Sequence, residues 1–463
     1  MTHCYKLCGY NIVLDVASGS IHSVDEVAFD VIRLYDTIND CEKQEQQKQE
    51  QQDMLINKVA LKHPNVTNND IREVIYEIET LKNRGKLFSP DIFNDITNKK
   101  SYIPLSALCM NVSHICNMSC SYCFAGHGMH NNETLMSLET ATRAIDFLVE
   151  QSADRKNLDV DFFGGEPLLN LGVIKDTVAY ARKTEHKNNK KFRFTLTTNG
   201  LLIDDDVIDF ANTEMHNVVL SLDGRPNIND AMRKLPGSVG SYSDITPKIT
   251  KLVDARHGKG YYIRGTFTRK NIDFKNDILH IADLGFKELA MEPVVTKPGD
   301  PLGFTTDDLP ELFSQYETLA AKMLQREKTG NGFNFYHYTL DLSNGPCVHK
   351  RIAGCGVGTE YLAVTPSGEI YPCHQFIGDK KFMIGDVWRG ILNNELCNEF
   401  SNTNIYTRSQ CRDCWAKFYC SGGCAANAYN YSGSIDGSYE LGCELLKKRI
   451  ECAIMMYAAK TVH

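Results

Sequence analysis

The chain has 463 residues, of which 42% are hydrophobic and 23% are charged, and its formal net charge is −8. At roughly 150 residues per domain, this length allows about three domains with their own cores. The longest apolar run, Cys452–Ala459, is far shorter than the ~18 residues that a membrane span needs. Met1–Lys6 lacks the apolar segment of a secretory signal. We therefore expect no membrane partner and no export, and the acidic balance argues against nucleic acid as the main partner.

The 17 cysteines are the most informative part of the composition. A reducing cytoplasm does not keep cysteines as disulfides, and a chain of this length does not need them for stability. Clustered cysteines in such a chain indicate metal or iron–sulfur ligation. We therefore expect a cytoplasmic protein that holds metal ions or iron–sulfur clusters.

Residues 1–95 are predicted to form a small separate unit. A hairpin precedes two stretches with apolar residues at helical spacing, which is typical of a winged-helix-like module. Between the helices, Cys41–Asp53 is polar on every face and is predicted to be a solvated helix extension or a disordered insertion. The predicted elements are strands at Tyr10–Asp15 and Ile21–Val24 and helices at Val27–Tyr35 and Ile71–Arg84.

Residues 101–300 contain six strand–helix repeats, which predict an α/β fold with a parallel sheet, either open or curled into a partial barrel. In such folds ligands bind at the carboxyl ends of the strands. We expect a linker with a bridging helix at residues 301–345 and a cysteine-rich domain at 346–463. The predicted strands are Leu105–Val112, Leu158–Phe163, Phe192–Thr198, Val218–Leu222, Tyr261–Thr268 and Leu289–Val295.

The first cysteine motif is CxxxCxxC, formed by Cys116, Cys120 and Cys123 directly after the first strand of the repeats. Three thiolates this close can hold a [4Fe–4S] cluster but reach only three of its four irons, so one iron would keep an open position. A zinc site that lacks one ligand and three unrelated cysteines are the alternatives. The position at a strand's carboxyl end favours the cluster.

Short polar or glycine-rich tetrapeptides follow the next three strands, at Gly164–Pro167, Thr197–Gly200 and Ser221–Gly224. Two adjacent glycines allow a ligand to reach bare backbone. Each tetrapeptide alone is explained by a turn. Together with the cysteine motif they occupy four successive strand ends, which indicates a binding site.

These four motifs resemble those of the radical S-adenosylmethionine superfamily, over about residues 105–295. The resemblance implies a partial (β/α)6 barrel in which the three cysteines hold the cluster and the cofactor's methionine part chelates the fourth iron. Asp223 and Arg233 are further cofactor-binding candidates. The alternative for Asp223 is that it serves its own turn, and the alternative for Arg233 is that it is a surface charge. The resemblance further implies cofactor contacts from Tyr122 (to the adenine), Gly164, Gly165 and Glu166 (to the methionine amino group), Asn199 and Ser221.

The second motif is C-x2-C-x5-C-x3-C, followed by another cysteine nineteen positions later. CxxC pairs also occur in zinc ribbons, which remain the alternative. The spacing resembles the SPASM extension of radical peptide maturases, which binds two auxiliary [4Fe–4S] clusters. By that resemblance the outer cluster is held by Cys411, Cys414, Cys420 and Cys443, and the inner cluster by Cys355, Cys373 and Cys424, together with Cys347.

The N-terminal unit resembles the peptide-binding winged helix of enzymes that modify ribosomally made peptides. In such a unit a leader peptide adds to the sheet edge as a further strand. A DNA-binding winged helix is the competing interpretation, but residues 1–40 contain only Lys6 and Arg33 as strong bases, which is poor for contacts to phosphates.

The whole chain resembles the maturases of cysteine-rich SCIFF peptides, on the segments Tyr10–Asp15, Arg264–Thr268 and Glu292–Val295 and on the cysteine motifs. The resemblance implies a radical enzyme that installs sulfur-to-carbon thioether cross-links in a precursor peptide. It also implies a low-potential electron donor such as a flavodoxin or ferredoxin, and the cytoplasm of an anaerobe. No catalytic side chain is assigned. A sulfatase-maturing enzyme or another SPASM oxidase is the alternative, and a non-enzymatic electron carrier is a remote one.

Overall fold

The computed structural model describes residues 1–38, 45–94, 104–123, 134–342 and 348–461. Within these ranges, no helix is both long enough and apolar enough to cross a membrane. Cys41 of the polar tract and Cys347, the fourth candidate ligand of the inner cluster, lie outside the described residues.

The N-terminal unit consists of three antiparallel strands in the order β1-β2-β3, followed by three helices. The elements are β1 Thr2–Leu7, β2 Tyr10–Asp15, β3 Ile21–Val24, α1 Glu26–Ile38, α2 Glu45–Lys62 and α3 Asn68–Asn83. Helix α3 begins after Thr67, whose hydroxyl accepts a hydrogen bond from the Asp70 amide. The predicted hairpin and helices are therefore present, and strand β1 is an addition that the sequence pattern does not indicate.

The polar tract belongs to helix α2, because residues 45–53 form the first half of that helix. The second half of α2 is anchored by Leu55, Ile56 and Val59, which are buried in the core of the N-terminal unit. The part of the tract from residue 45 onward is therefore a helical extension, as one of the two interpretations expects.

The central region is a parallel sheet with helices between its strands. Its elements are β4 Ala107–Ser113, β5 Ser119–Cys120, α4 Leu138–Gln151, β6 Asn157–Gly164, α5 Leu171–Asn188, β7 Lys191–Thr198, α6 Asp205–Glu214, β8 Met215–Ser221, α7 Pro226–Met232, β9 Arg233–Lys234, α8 Tyr242–Ala255, β10 Gly260–Phe267, α9 Lys275–Asp283 and β11 Glu288–Pro293. Strands β4, β6, β7, β8, β10 and β11 lie side by side in chain order and are all parallel. Their carboxyl ends therefore meet at one edge, as the sequence predicts.

Local signals in the sequence explain where the helices of this region begin. The Ser137 hydroxyl accepts a hydrogen bond from the Thr140 amide at the start of α4, and the Asp204 carboxylate accepts one from Val207 at the start of α6. Phe162 and Phe194 are fully buried on neighbouring strands. The core therefore lies between the sheet and the helices, and the polar strand ends are left for the site.

The rest of the chain continues the same sheet at both edges. Its elements are α10 Leu309–Lys328, β12 Asn334–Phe335, α11 Val348–Ala353, β13 Tyr361–Val364, β14 Glu369–Tyr371, β15 Gly385–Asp386, β16 Gly390–Ile391, α12 Asn394–Asn402, α13 Ser409–Arg412, α14 Lys417–Cys420, α15 Ala425–Ser432 and α16 Glu440–Thr461. β12 pairs with β11, and β13 pairs with β4. The predicted linker and cysteine-rich region thus contribute strands to an eleven-stranded sheet within the described residues. Nothing in their short apolar runs reveals these pairing partners.

Candidate active site

A cavity of about 800 Å³ lies at the carboxyl ends of the parallel strands. One wall is formed by the CxxxCxxC loop and the strand ends, and the facing wall by the cysteine-rich region and helix α16. Both cysteine motifs therefore border one continuous space. The predicted site residues that line it are Cys116, Cys120, Tyr122, Cys123, Gly164, Gly165, Glu166, Asn199, Ser221, Arg233, Cys411, Cys414, Cys420, Cys424 and Cys443.

The cysteine loop is fixed by pairing with the segment after β8, because Cys120 in β5 is paired with Arg233 in β9. The three thiols of the loop are electrostatic neighbours. Burial raises the pKa of Cys120 to about 11, although the Arg233 guanidinium opposes that rise. A positive charge beside a thiol favours the thiolate, which is the form that binds iron.

Gly164 and Gly165 bring the end of β6 against the backbone of the cysteine loop. A Cβ atom at Gly164, whose φ is +138°, would lie 2.1 Å from the carbonyl oxygen of Ser113. One at Gly165 would lie 2.4 Å from the Ile115 carbonyl oxygen. The Gly165 amide also donates to the Ser113 oxygen at 2.7 Å. The close approach that the two glycines allow is thus to the end of β4 and the start of the cysteine loop, and contact with the methionine amino group stays a prediction.

Glu166 is fully buried, and its carboxylate is held by three donors. It accepts hydrogen bonds from the Thr198 hydroxyl at 2.7 Å, the Asn199 amide at 2.8 Å and the Leu168 amide at 3.0 Å. Burial raises the pKa of this carboxyl, and the three donors oppose the rise. Glu166 therefore ties the ends of β6 and β7 together. Thr198, whose individual role the sequence does not reveal, is part of this brace.

Asn199 connects the third strand end to the cysteine loop. Its Nδ2 donates to Oδ1 of Asn117 at 2.8 Å and lies 3.8 Å from Sγ of Cys116. Hydrogen bonds to the sulfurs are one of the means by which a protein sets the reduction potential of an iron–sulfur cluster. Asn199 is therefore placed to influence a cluster that the loop would hold.

Tyr122, Asp223 and Arg233 form a buried polar group beside the loop. The Tyr122 hydroxyl donates to Asp223 Oδ2 at 2.7 Å and accepts from Arg233 Nη1 at 3.1 Å. Asp223 Oδ1 accepts from the Thr266 amide at 3.0 Å. The Asp223 carboxylate therefore bonds to Tyr122 and to β10. The alternative that Arg233 is a surface charge is wrong, since only 6% of it is exposed.

Glu292 at the end of β11 also lines the cavity, where its carboxylate lies beside Arg449 and His337. It accepts from Arg449 of helix α16 at 3.3 Å, and His337 lies 3.4 Å away. Burial raises the pKa of Glu292, but His337, Arg449 and Arg264 outweigh that effect and lower it to about 2. The pair of Glu292 and Arg449 spans 157 residues. No sequence signal could have found this pair.

The outer set of four cysteines is brought together as the resemblance implies. Each of Cys411, Cys420 and Cys443 has its pKa raised by thiols of the same set, and Cys414 is among the causes for all three. Burial is the larger cause and raises the pKa of Cys420 to about 12. Four neighbouring thiols at the cavity wall are a donor set that suits an iron–sulfur cluster.

Three members of the inner set, Cys355, Cys373 and Cys424, also lie together, because the thiols of Cys355 and Cys424 raise the pKa of Cys373. Burial contributes most and raises that pKa to about 12. The ring of His374, the next residue, lies against Phe163 in a tilted arrangement, with 5.0 Å between the centroids and 40° between the planes. His374 also lines the cavity, so it connects the inner set to that space.

The three groups of thiols fit iron–sulfur clusters, and the polar group beside the first fits S-adenosylmethionine. Among the described residues, no three His, Cys, Asp or Glu side chains converge on a point that one metal ion could occupy. Arg233 lines the cavity, and its buried Nε has no hydrogen-bonding partner within the described part of the chain. A buried donor of this kind calls for an acceptor such as a carboxylate, which S-adenosylmethionine carries.

Comparison with known protein families gives two matches along the chain. Residues 110–263 match the radical SAM superfamily, and residues 355–415 match the iron–sulfur cluster-binding domain SPASM. The radical SAM cyclopropyl synthase TigE of Paramaledivibacter caminithermalis is 23% identical over 74% of this chain and 72% of its own. A cysteine-type anaerobic sulfatase-maturating enzyme of Clostridium novyi is 25% identical over 77% of this chain and 98% of its own.

Two solved structures share the fold. anSMEcpe with bound AdoMet has a TM-score of 0.63 at 21% identity, over 77% of this chain and 98% of that one. Streptococcus suis SuiB bound to the precursor peptide SuiA has a TM-score of 0.53 at 16% identity, over 92% of this chain and 94% of that one. A match over 92% of the chain has to include most of residues 1–94.

Proposed function

Because residues 110–263 form a radical SAM domain and residues 355–415 a SPASM domain, we propose that this protein is an oxidoreductase that installs thioether cross-links in a ribosomally made, cysteine-rich peptide. The radical SAM domain binds a [4Fe–4S] cluster and S-adenosylmethionine, and the SPASM domain binds auxiliary iron–sulfur clusters. The observation that carries the proposal is that the CxxxCxxC motif and the second cysteine motif border the same cavity. A substrate in that space would lie between the two kinds of site.

We assign the ligands as the thiol groups suggest. Cys116, Cys120 and Cys123 would hold the cluster that binds S-adenosylmethionine, and the outer and inner sets of cysteines would hold the auxiliary clusters. When bound, the first cluster and S-adenosylmethionine supply a 5′-deoxyadenosyl radical, which takes a hydrogen atom from an unactivated carbon, and the auxiliary clusters supply acceptors for electrons. A low-potential donor such as a flavodoxin or ferredoxin, in the cytoplasm of an anaerobe, would supply the electrons.

The chain's own residues orient the cofactor and protect the reaction. Arg233 is placed to bind the cofactor's carboxylate, because its guanidinium is buried beside the cysteine loop and is fixed by Tyr122. Ser221 lies next to Arg264 in the register of β8 and β10, and both line the cavity. The enclosing walls would keep water and other hydrogen donors away from the reacting carbon.

The N-terminal unit supports a leader-guided peptide substrate. Its sheet is packed between helix α1 on one face and helix α16 on the other, so an added peptide has only the strand edges to pair with. β1 borders the cysteine-rich region, since His3 and Tyr5 both bond to Glu451 of α16. β3 lies on the other side, where His22 bonds to the Lys86 carbonyl. We therefore propose that the leader adds to the edge of β3.

Maturation of a sulfatase is the second candidate. The similarity to the Clostridium novyi sulfatase-maturating enzyme, at 25% identity over 98% of that enzyme, favours it. That similarity covers only 77% of this chain. The N-terminal unit, which a sulfatase-maturing enzyme does not need, favours the leader-guided peptide.

The test is an anaerobic reaction of the reconstituted enzyme with dithionite, S-adenosylmethionine and one of two substrates. One is a cysteine-rich precursor encoded beside the enzyme, and the other is a peptide from a cysteine-type sulfatase. We expect 5′-deoxyadenosine with both, but only the precursor should lose two hydrogen atoms and one alkylatable thiol per cross-link. Conversion of the sulfatase peptide alone would overturn the proposal in favour of the second candidate.

Matched cysteine variants test the site assignment. Cys120→Ala should abolish 5′-deoxyadenosine formation, whereas Cys397→Ala should not, because Cys397 lies on helix α12 and belongs to none of the three thiol groups. Formation of 5′-deoxyadenosine by Cys120→Ala at the parent rate would contradict the assignment.

A further inference from the structure

The segment Cys411–Cys420, which we call the ligand loop, carries three of the four outer cysteines and is packed against the N-terminal unit. Phe418 is fully buried, and its ring meets Phe93 at an angle of 82° with 5.4 Å between the centroids. Only 7% of Lys417 is exposed. The ligand loop therefore lies between the N-terminal unit and the cavity.

Asp91, which lies outside the ligand loop, compensates the positive charge of Lys417 within it. Its carboxylate accepts hydrogen bonds from Lys417 Nζ at 2.7 Å and from the Tyr406 hydroxyl at 2.8 Å. Lys417 also donates to the carbonyl oxygen of Arg412, within the loop, at 2.9 Å. A buried ammonium that loses its carboxylate is strongly destabilised, so Asp91 is what allows Lys417 to stay inside.

A second contact comes from strand β1. The His3 ring is stacked on Trp415 with 3.7 Å between the centroids and an angle of 3° between the planes. Trp415 follows Cys414 directly in the chain. His3 Nε2 is also bonded to Glu451 Oε1 of helix α16 at 2.9 Å, and α16 carries Cys443 near its start. The N-terminal unit thus contacts both chain segments that supply the outer cysteines.

We propose that Asp91 and His3 are positioning residues for the outer auxiliary cluster, so that the peptide-binding unit also forms one wall of that cluster. This rests on the proposed assignment of the outer cysteines as ligands. Asp91 fixes the loop through Lys417 and places a negative charge beside it. A nearby negative charge disfavours the more negative, reduced state of a cluster and so lowers its reduction potential. His3 fixes the loop by packing alone.

The test uses the full-length reconstituted enzyme and reads out the outer cluster directly. Asp91→Asn keeps the shape of the side chain and removes its charge, and Asp91→Glu restores the charge. Asp53→Asn removes the same charge from an exposed ion pair with Arg72 in the same unit. The measurements are the midpoint potential, by electron paramagnetic resonance, and the rate of iron release to a chelator.

We expect a higher potential and faster iron release in Asp91→Asn, values close to the parent in Asp91→Glu, and no change in Asp53→Asn. Equal potentials and release rates in Asp91→Asn and Asp53→Asn would overturn the proposal. If Asp91→Asn does not fold, His3→Ala and the exposed control His216→Ala decide by iron release. Faster release in His3→Ala alone supports the proposal, and equal release overturns it.

Cys414→Ala identifies the signal of the outer cluster and separates two kinds of failure. Loss of that signal keeps the ligand assignment, so the variants of Asp91 and His3 then test the positioning proposal alone. Retention of the full signal in Cys414→Ala would instead overturn the assignment on which the positioning proposal rests.

Discussion

Tyr122 donates a 2.7 Å hydrogen bond to the buried carboxylate of Asp223, 101 residues further along the chain. The bond joins the loop that carries Cys116, Cys120 and Cys123 to the segment after β8. Asp223 accepts a second bond from the Thr266 amide on β10. The position of the cysteine loop therefore depends on strands that lie well away from it in the sequence.

Replacement of Tyr122 by Phe should loosen this connection. The change removes one of the donors to a buried carboxylate, and an unsatisfied group of this kind costs about 1–3 kcal/mol. We expect a lower midpoint of thermal unfolding and weaker binding of S-adenosylmethionine, measured by calorimetry. Tyr180→Phe is the matched control, since Tyr180 donates to Asp146 at 2.7 Å in a more exposed setting. Equal stability and affinity in the two variants would show that the bond does not hold the loop.

Gly165→Ala should displace the cysteine loop. The new Cβ would lie 2.4 Å from the Ile115 carbonyl oxygen and 3.2 Å from the Cβ of Cys116, and backbone cannot yield as a flexible side chain does. We expect less iron per chain after reconstitution and a lower unfolding temperature. Gly172→Ala serves as control, because a Cβ there meets open space at the start of helix α5. Replacing this helical glycine by alanine should raise the free energy of unfolding by about 0.5–1 kcal/mol. Parent-level iron in Gly165→Ala would contradict this account.

Much of the central fold is predictable from the sequence because its signals are local. The six parallel strands and their helices are marked by apolar runs and by caps such as Ser137 and Asp204. The resemblance to radical SAM and SPASM proteins is confirmed by the two family matches. The grouping of the cysteines is implied by the same resemblance, whereas their spacing alone leaves a zinc site as an alternative.

What the sequence does not reveal depends on long-range contact. Strand β1 shows no clear alternation, because one face of its sheet is covered by α16 and the other by α1. The two glycines are predicted to allow a close approach, but only the fold shows that the approaching group is the loop backbone. Pairs such as Glu292 with Arg449 join elements that no local pattern connects.

His337 should make stability depend on pH. Burial lowers the pKa of this histidine to about 4, and Arg449 and Arg264 add to that effect although Glu292 opposes it. Its unfolded pKa is about 6.5. Between these values the unfolded chain binds a proton that the folded chain does not, so stability falls as the pH is lowered from about 6.5 toward 4.

The measurement is chemical denaturation of the parent and of His337→Gln at several pH values. One differential proton changes the free energy of unfolding by up to about 1.4 kcal/mol per pH unit. We expect the variant to lose part of the parent's pH dependence below 6.5. The exposed control His216→Gln should keep it, and a parent-like slope in His337→Gln would show that this histidine is not the source.

Binding of a leader peptide should protect the edge of strand β3. The enzyme is mixed with a synthetic peptide that contains the leader of a precursor encoded beside it, and amide hydrogen exchange is followed by mass spectrometry. Amides at the exposed edge of a strand exchange more slowly when an added strand accepts their hydrogen bonds. We expect slower exchange in Ile21–Val24 of β3 and no change in Thr2–Leu7 of β1. A scrambled peptide of the same composition should leave both unchanged.

The two edges differ in a way that makes this experiment decisive. β1 contacts the cysteine-rich region through His3, which is stacked on Trp415, so a peptide there would have to compete with a formed interface. β3 also packs against helix α16, but its His22 side chain bonds within its own unit, to the Lys86 carbonyl. Protection confined to β1 would therefore place the leader beside the ligand loop and contradict the assignment to β3. Protection at neither strand would remove the sheet from substrate recognition altogether.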